Sequence, residues 1–315
     1  MSFDVSSLTN YADQSSTELL HRLYFEGTTQ EYVSFQTGVK HKDALQLFDL
    51  TAYPQDDSCS NTASGSTTFT QAEITVVGIK YFDSLCPIDL EAKWTQNLLR
   101  QGANAQQESL TFEEDVAMGI LSLVQENNET VIWQGNDAGT NTDPITNKFD
   151  GFLQLIDTAA TATAGNTNSV SAISATATDN TNAVTIVNAM IDARPARLRR
   201  KQGQVLFCGT DTFDKWVTAQ IDQNNFHIDQ TQWVNYSVQI PGKNVTLVGV
   251  HGLDGTNRMV LGQTSNFYIG VDGMNDHEVF DIWYSKDDDV IYYKVRFKLG
   301  VQIARIADLV EFTLS

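Results

Sequence analysis

The chain has 315 residues, 41% of them hydrophobic and 10% aromatic, enough for one large domain or two with an ordinary core. Its formal net charge of −19 disfavours a free nucleic-acid binder, because Lys and Arg contacts to phosphate supply most non-specific affinity. Only 19% of residues are charged, and Ser, Thr, Asn and Gln fill the difference, a composition suited to a solvated surface and to large contacts between subunits.

Cys59, Cys86 and Cys208 are widely spaced, form no C-x-x-C and have no His at zinc-ligand spacing, so neither a metal nor any other cofactor is expected. The count fits a reducing compartment. The opening MSFDVSSLTNYADQSS lacks the basic and apolar segments of a signal peptide, and no apolar run reaches membrane-spanning length, so no membrane partner is expected.

In chain order, Asp13–Glu26 predicts a helix with Leu19, Leu20, Leu23 and Tyr24 on one face and Gly27 as its stop. It reads as an arm whose core lies elsewhere. Ala44–Leu50 and Phe69–Tyr81 predict two strands around the turn-rich PQDDSCSNTASGS, a long hairpin. Such a pair is marginal in water alone and needs a covering surface, its own sheet or another chain. Pro87 opens a short helix carrying Leu90, Trp94 and Leu98, closed by Gly102. The main helix is predicted over Thr111–Asn127. Thr111 and Glu114 form a capping box, Phe112, Val116, Ile120 and Val124 line one stripe beside Leu121, and Asn127 and Asn128 end it. Its length is about 25 Å. Glu129 to Asn136 is then the exit from the helix.

Lys148–Asp157 predicts a further helix, followed by a Thr/Ala/Ser/Asn-rich stretch to Thr185 that is either an exposed loop or contains a polar strand at Val170–Ile173. Helix Asn182–Ala193, strand Gln204–Cys208 and helix Thr210–Gln223 suggest an α/β unit. Strands follow at Trp233–Ile240, Val245–Val250 and Asn266–Val271. In the last hairpin, Phe280, Ile282 and Tyr284 alternate before a charged turn. Ile291, Tyr293, Val295, Phe297 and Leu299 then take one face of a strand, and Tyr292, Lys294, Arg296 and Lys298 the other.

Catalytic signatures are weak. There is no G-x-S-x-G and no Cys beside a His, and the glycines of 249–255 have the wrong spacing for a dinucleotide site. His251 there is more often a turn residue than a base. Glu113, Glu114, Asp211 and Asp214 open helices, where the macrodipole explains them. An enzyme is therefore not expected. A carboxylate-dependent hydrolase remains the alternative from another class, because two carboxylates need meet only in space. The basic run Arg194, Arg197, Arg199, Arg200 and Lys201 stands out among only 20 Lys and Arg. It reads as a helix C-terminus, or as a contact to an acidic neighbouring subunit or to nucleic acid, with the subunit contact favoured. Lys294, Arg296 and Lys298 carry the same reading, against a plain solvated strand face.

The order of parts, together with Leu85 to Leu90, Glu129 to Gly135, Phe149 to Phe152, and the Asp281 to Tyr284 and Arg296 to Gly300 end, resembles the major capsid proteins of tailed bacteriophages with the Hong Kong 97-type fold. The nearest resemblance is to the crAss-like and Bacteroidetes-phage group. The resemblance implies an α+β fold with an N-terminal arm at 1–35, an extended E-loop hairpin at 36–75 and a P-domain with a long spine helix at 76–130. An α/β A-domain at 131–278 and C-terminal strands at 279–315 returning to the P-domain complete it. It further implies self-assembly into hexamers and pentamers of an icosahedral head, with E-loops and N-arms overlapping neighbouring subunits. Implied partners are a portal, a separate scaffolding protein, decoration proteins and non-specifically packaged double-stranded DNA. The implied location is the virion, assembled in the host cytoplasm. An encapsulin-type bacterial compartment is the alternative within the same fold, and a phage decoration or tail protein a further rival.

Overall fold

A computed structural model describes residues 22–23, 27–57, 64–86, 112–162, 168–170, 178–223, 235–273, 279–288 and 290–313. Most of the expected first helix, the Pro87–Gly102 helix and the Thr111 capping box lie outside these residues.

The strands are β1 (Ser34–Gln36), β2 (Lys42–Ala52), β3 (Gly65–Thr75) and β4 (Val77–Leu85), then helices α1 (Phe112–Gln134) and α2 (Phe152–Ala162). Next come β5 (Asn168–Val170), α3 (Ala183–Asp192), β6 (Gln204–Gly209), α4 (Thr210–Asp222), β7 (Ser237–Gln239), β8 (Val245–Val250) and β9 (Met259–Gln263). The chain closes with β10 (Phe267–Val271), β11 (Val279–Ser285), β12 (Val290–Ile303) and β13 (Val310–Phe312).

These strands form a five-stranded sheet centred on β12, a six-stranded sheet ordered β5-β13-β9-β6-β8-β7, and the separate β2–β3 hairpin. Along β12, β4 takes one edge, while β11 and then β10 take the other. The period of two partitions the six-stranded sheet between two cores. Val205 and Phe207 of β6, Val248 and Val250 of β8, and Val260 of β9 face a core shared with α1, α2 and the β12 sheet. Leu206, Cys208, Val245, Leu247, Met259 and Leu261 face a second core closed by α3 and α4. Every residue of β6 is buried, as expected for a strand covered on both faces.

Helix α1 does not end at Asn127 and Asn128. It runs on to Gln134, so its 23 residues span about 35 Å. Asn128 is buried and accepts from the Tyr81 hydroxyl at 3.4 Å, while Val131, Ile132 and Trp133 are the most deeply buried part of the helix. Burial of that apolar turn outweighs the weak helix preference of two asparagines. Gly135 stops the helix; its N–H donates to the Val131 carbonyl, and a side chain there would collide with Phe149 and Gly151 backbone.

The expected strand Phe69–Tyr81 is two strands. β3 pairs only with β2 and β4 only with β12, and the change of partner occurs at Val76, whose N–H bonds the His41 carbonyl at 2.9 Å. Helix Lys148–Asp157 begins four residues later, at Phe152, because 136–150 is a loop closed by Asn and Asp side chains. Strands β9 and β13 were not foreseen. The part of Trp233–Ile240 that is described forms only Ser237–Gln239. Strand pairing also cuts across the expected boundaries. β10 lies within 131–278 but belongs to the β12 sheet, and β13 lies within 279–315 but pairs with β9 and β5. In each case burial decides: Phe267, Ile269 and Val271 enter the first core, Val310 and Phe312 the second.

The hairpin is rooted by a small third core of Val39, Leu45, Ile74 and Val76. That root presses onto Gly270 and Gly300, which face each other across β10 and β12. A Cβ at Gly300 would overlap the Thr75 carbonyl, and one at Gly270 would overlap Ile74 and Val76. Gly300→Ala is therefore expected to destabilise the protein by about 1–3 kcal/mol, the usual range for overpacking, read as a lowered urea midpoint. An unchanged midpoint would show that the root is not a close-packed joint.

Candidate functional site

The described polar groups hold elements together rather than assemble a catalytic centre. The Thr29 N–H and hydroxyl both donate to Glu129 Oε1, at 3.0 and 2.7 Å, and the Trp133 indole N–H donates to the Thr29 hydroxyl at 2.8 Å. This fastens the chain ahead of β1 to the last turns of α1. On the next helical turn, Glu126 lies 3.4 Å from His251 Nε2, and Asp254 lies 2.8 Å from His251 Nδ1. Asp254 also accepts from the Thr210 N–H and hydroxyl, which caps α4. Gln134 reaches the Gly252 carbonyl at 2.8 Å. His251 is thus held between two carboxylates, Glu126 and Asp254. Cys208 is buried and burial pushes its thiol up, away from reactivity; Cys86 is exposed. Asp211 pairs with Lys215 at 3.7 Å on α4. Among the described residues, no group of three or more His, Cys, Asp or Glu is placed to hold a metal ion, and no helix is long and apolar enough to cross a membrane.

The basic run is divided by the fold. Arg194 is only 7% exposed and turns inward, its Nε donating to the Ile191 carbonyl at 2.8 Å and its guanidinium to Gln204 at 2.6 Å, so it closes the end of α3. Arg197 is ion-paired to Asp308. Arg199 donates to the Arg194 and Asp192 carbonyls, while Arg200 and Lys201 are exposed. On β12, Lys298 is bound to Asp272 and the Lys40 carbonyl. Lys294 lies 3.9 Å from Asp281 and 5.9 Å from the centre of the Trp283 ring. Arg296 is exposed. Arg194, Arg197 and Lys298 are therefore spent within the chain, which leaves Arg199, Arg200, Lys201, Lys294 and Arg296 to face outward.

Two surfaces stand out that residue-type motifs did not reveal. On the β2–β3 hairpin Phe48, Leu50, Tyr53 and Phe69 are 52–74% exposed, and Phe48 and Phe69 pair across the strands with ring centres 5.3 Å apart. Beneath the hairpin a cleft of about 710 Å3 opens against Gln302 to Ala307. On the outer face of the β4–β12–β11 sheet, Phe82, Trp283 and Tyr292 form a ring cluster, with Phe82 stacked 5.4 Å from Tyr292. Alternation in the sequence marks both faces, but pairing register alone brings the three rings together.

By sequence, no family model matches this chain and neither does any curated protein. By structure, it is similar to a chain of the satellite phage P4 procapsid that includes the size determination (Sid) protein. The TM-score is 0.61 at 12% identity, over 95% of this chain and 91% of that one. It is also similar to the capsid of Myoviridae phage XM1 (TM-score 0.54, 12% identity, 92% of each chain) and to the capsid of a native GTA particle (0.52, 10% identity, 91% and 90%). This is the Hong Kong 97-type capsid fold. Within it, α1 is the long helix of a unit built on the β12 sheet, and the β2–β3 hairpin is the arm that leaves that unit.

Burial holds the Glu129 carboxyl above its ordinary value near 4.5, against the Thr29 hydrogen bonds and nearby His251, which pull it down; Asp254 adds to the rise. The native protein thus binds this proton more tightly than the unfolded chain. The stability this group contributes is present at low pH and is lost as pH rises through its folded value. Glu129→Gln keeps an acceptor for Thr29 and removes that loss. Relative to the parent, its unfolding free energy should improve between pH 4 and 7; a difference independent of pH would contradict this. Thr29→Val, which leaves the backbone N–H bond to Glu129 but removes the hydroxyl that donates to Glu129 and accepts from Trp133, should cost about 1–3 kcal/mol in urea unfolding.

Proposed function

We propose that this chain is the major shell protein of a tailed-bacteriophage head. Copies assemble as hexamers and pentamers into an icosahedral capsid around double-stranded DNA. The observation that carries this reading is the β2–β3 hairpin, on a fold whose solved neighbours come from capsids. It displays Phe48, Leu50, Tyr53 and Phe69 to solvent, and its own root covers only Leu45 and Ile74. Exposed contiguous rings on a projecting arm are costly in a monomer and useful in an assembly. In this reading the hairpin is the E-loop, the β12 sheet with α1 the peripheral domain, and the six-stranded sheet with α3 and α4 the axial domain. Its role is structural rather than catalytic. The outward-facing Arg199, Arg200, Lys201, Lys294 and Arg296 meet acidic neighbouring copies, and the net charge of −19 keeps the shell from gripping its DNA.

A portal, a separate scaffolding protein and decoration proteins are the further partners of this reading, and the virion, assembled in the host cytoplasm, its location. Placement beside the crAss-like and Bacteroidetes phages rests on the segments Leu85 to Leu90, Glu129 to Gly135 and Phe149 to Phe152, and on the Asp281 to Tyr284 and Arg296 to Gly300 end.

Purified protein, with and without a scaffolding protein, should give closed shells in negative-stain images, or hexamers and pentamers by size exclusion. Phe48→Ser with Phe69→Ser should leave the unfolding midpoint almost unchanged, as exposed substitutions do, and abolish closed shells. A parent chain that stays monomeric under all these conditions would overturn the reading.

A further inference from the structure

His251 opens the turn that leaves β8, and this turn stands against α1. Its Nδ1 lies 2.8 Å from Asp254 Oδ2, and its Nε2 lies 3.4 Å from Glu126 Oε1. The two carboxylates belong to different parts of the fold. Asp254 sits on the turn itself and accepts the Thr210 N–H and hydroxyl at the start of α4, so it is fixed to the six-stranded sheet. Glu126 sits on α1, which packs on the β12 sheet. One imidazole therefore bridges the two units.

A neutral imidazole carries one N–H and one lone pair, whereas the imidazolium carries two N–H donors. Carboxylates on both ring nitrogens are therefore satisfied together only by the protonated ring. Loss of the proton turns a lone pair toward one of them. The contact that survives is the shorter one, to Asp254, three residues away on the same turn and held by Thr210. Glu126 then faces the lone pair in surroundings that are already acidic. Glu129 follows it on α1 and takes its hydrogen bonds from Thr29, ahead of β1. Asp211, at the start of α4, borders Gly209 together with Asp254 and holds Lys215 at 3.7 Å. Among the described residues, no Lys or Arg forms an ion pair with Glu126 or Asp254.

We propose that His251 is a proton-operated clasp between α1 and the six-stranded sheet. Protonated, it joins Glu126 to Asp254 and fixes the 251–253 turn to the helix. Deprotonated, it keeps Asp254 and releases Glu126. The Gln134 bond to the Gly252 carbonyl and the packing of Trp133 on Phe207 remain, so the joint loosens locally and does not come apart. An imidazole changes charge between about pH 5 and pH 8, and the clasp works within that range. A group that gains partners on folding in its protonated form contributes stability at low pH, and the contribution is lost as pH rises. In the proposed shell, the clasp sets how stiffly the two units of each copy are joined. It does not depend on that reading, because a single copy contains all of its parts.

The test is a double-mutant cycle in the full chain, with Glu126→Gln, His251→Gln and both, read by urea unfolding at about pH 5.5 and about pH 8.5. The His251 and Glu126 side chains are 47% and 59% exposed, so neither substitution opens the core. At the lower pH, Glu126→Gln should raise the unfolding constant about two- to fivefold, as befits a half-exposed ion pair. At the higher pH it should leave that constant unchanged or lower it, because a repelled carboxylate has gone. With His251→Gln already in place, the effect of Glu126→Gln should be the same at both pH values. Glu129 is present in all four chains, so its own titration is common to them. Hydrogen exchange, corrected for the intrinsic pH dependence of amides, reads the loosening directly. Protection of residues 126–134 and 250–256 should fall with rising pH in the parent but not in His251→Gln. A Glu126→Gln effect that ignores pH in the parent, or one that still follows pH without His251, would overturn the clasp. So would protection that follows pH alike in the parent and in His251→Gln.

Discussion

Trp133 is where the parts of this molecule are held to one another. Its ring packs at 5.0–6.4 Å from Phe152 of α2, Phe207 of the six-stranded sheet and Phe267 of the β12 sheet. Its indole N–H binds Thr29, ahead of β1. Two sheets, two helices and the incoming chain therefore meet on one side chain at the end of α1. A rigid helix about 35 Å long transmits that fixed point along the β12 sheet. The close approach of Gly252 to the Glu129 and Trp133 backbone and ring belongs to the same joint, since any side chain there would force the helix and the 251–253 turn apart.

Around this joint the burial is generous, and away from it burial stops. The six-stranded sheet is covered on both faces, and the inner face of β12 is covered by α1. The hairpin, by contrast, keeps only a small root core and carries its rings into solvent. An isolated two-stranded ribbon has little stability of its own, and only the root of this one is packed. The fold thus separates a self-sufficient body from an arm that buries little of its own surface, the division that the proposed shell role draws on.

Charge is distributed on the same plan. A chain with only 20 Lys and Arg commits several of them to internal locks: Arg194 to the end of α3, Arg197 to Asp308, Arg258 to Asp157 and Glu311, and Lys298 to Asp272. The cations left outward on β4 and β12 share a face with aromatic rings, while the hairpin beyond Lys42, itself paired to Glu73, carries carboxylates and no cation.

Local pattern was enough for much of this. The alternation of Ile291 to Leu299, the buried runs at Gln204–Cys208 and Val245–Val250, the helical spacing through Val124, and the existence of a hairpin were all legible, because each depends on period and turn chemistry within a short window. The outcome at Asn127 and Asn128 was not. Two residues with poor helix preference are carried through by Val131, Ile132 and Trp133, whose burial depends on sheets formed 70 to 170 residues later. The break at Val76 was equally hidden, since β3 and β4 read as one alternating run, and only the competition between β2 and β12 for partners divides them. The basic run announced itself by composition, yet which arginines turn inward was decided by where Gln204 and Asp308 lie in space. Sequence alone determined most of the elements and the sign of each surface. Tertiary structure decided which elements pair, and therefore which charges and rings are left exposed, because pairing partners distant in the chain are chosen by burial and not by local preference.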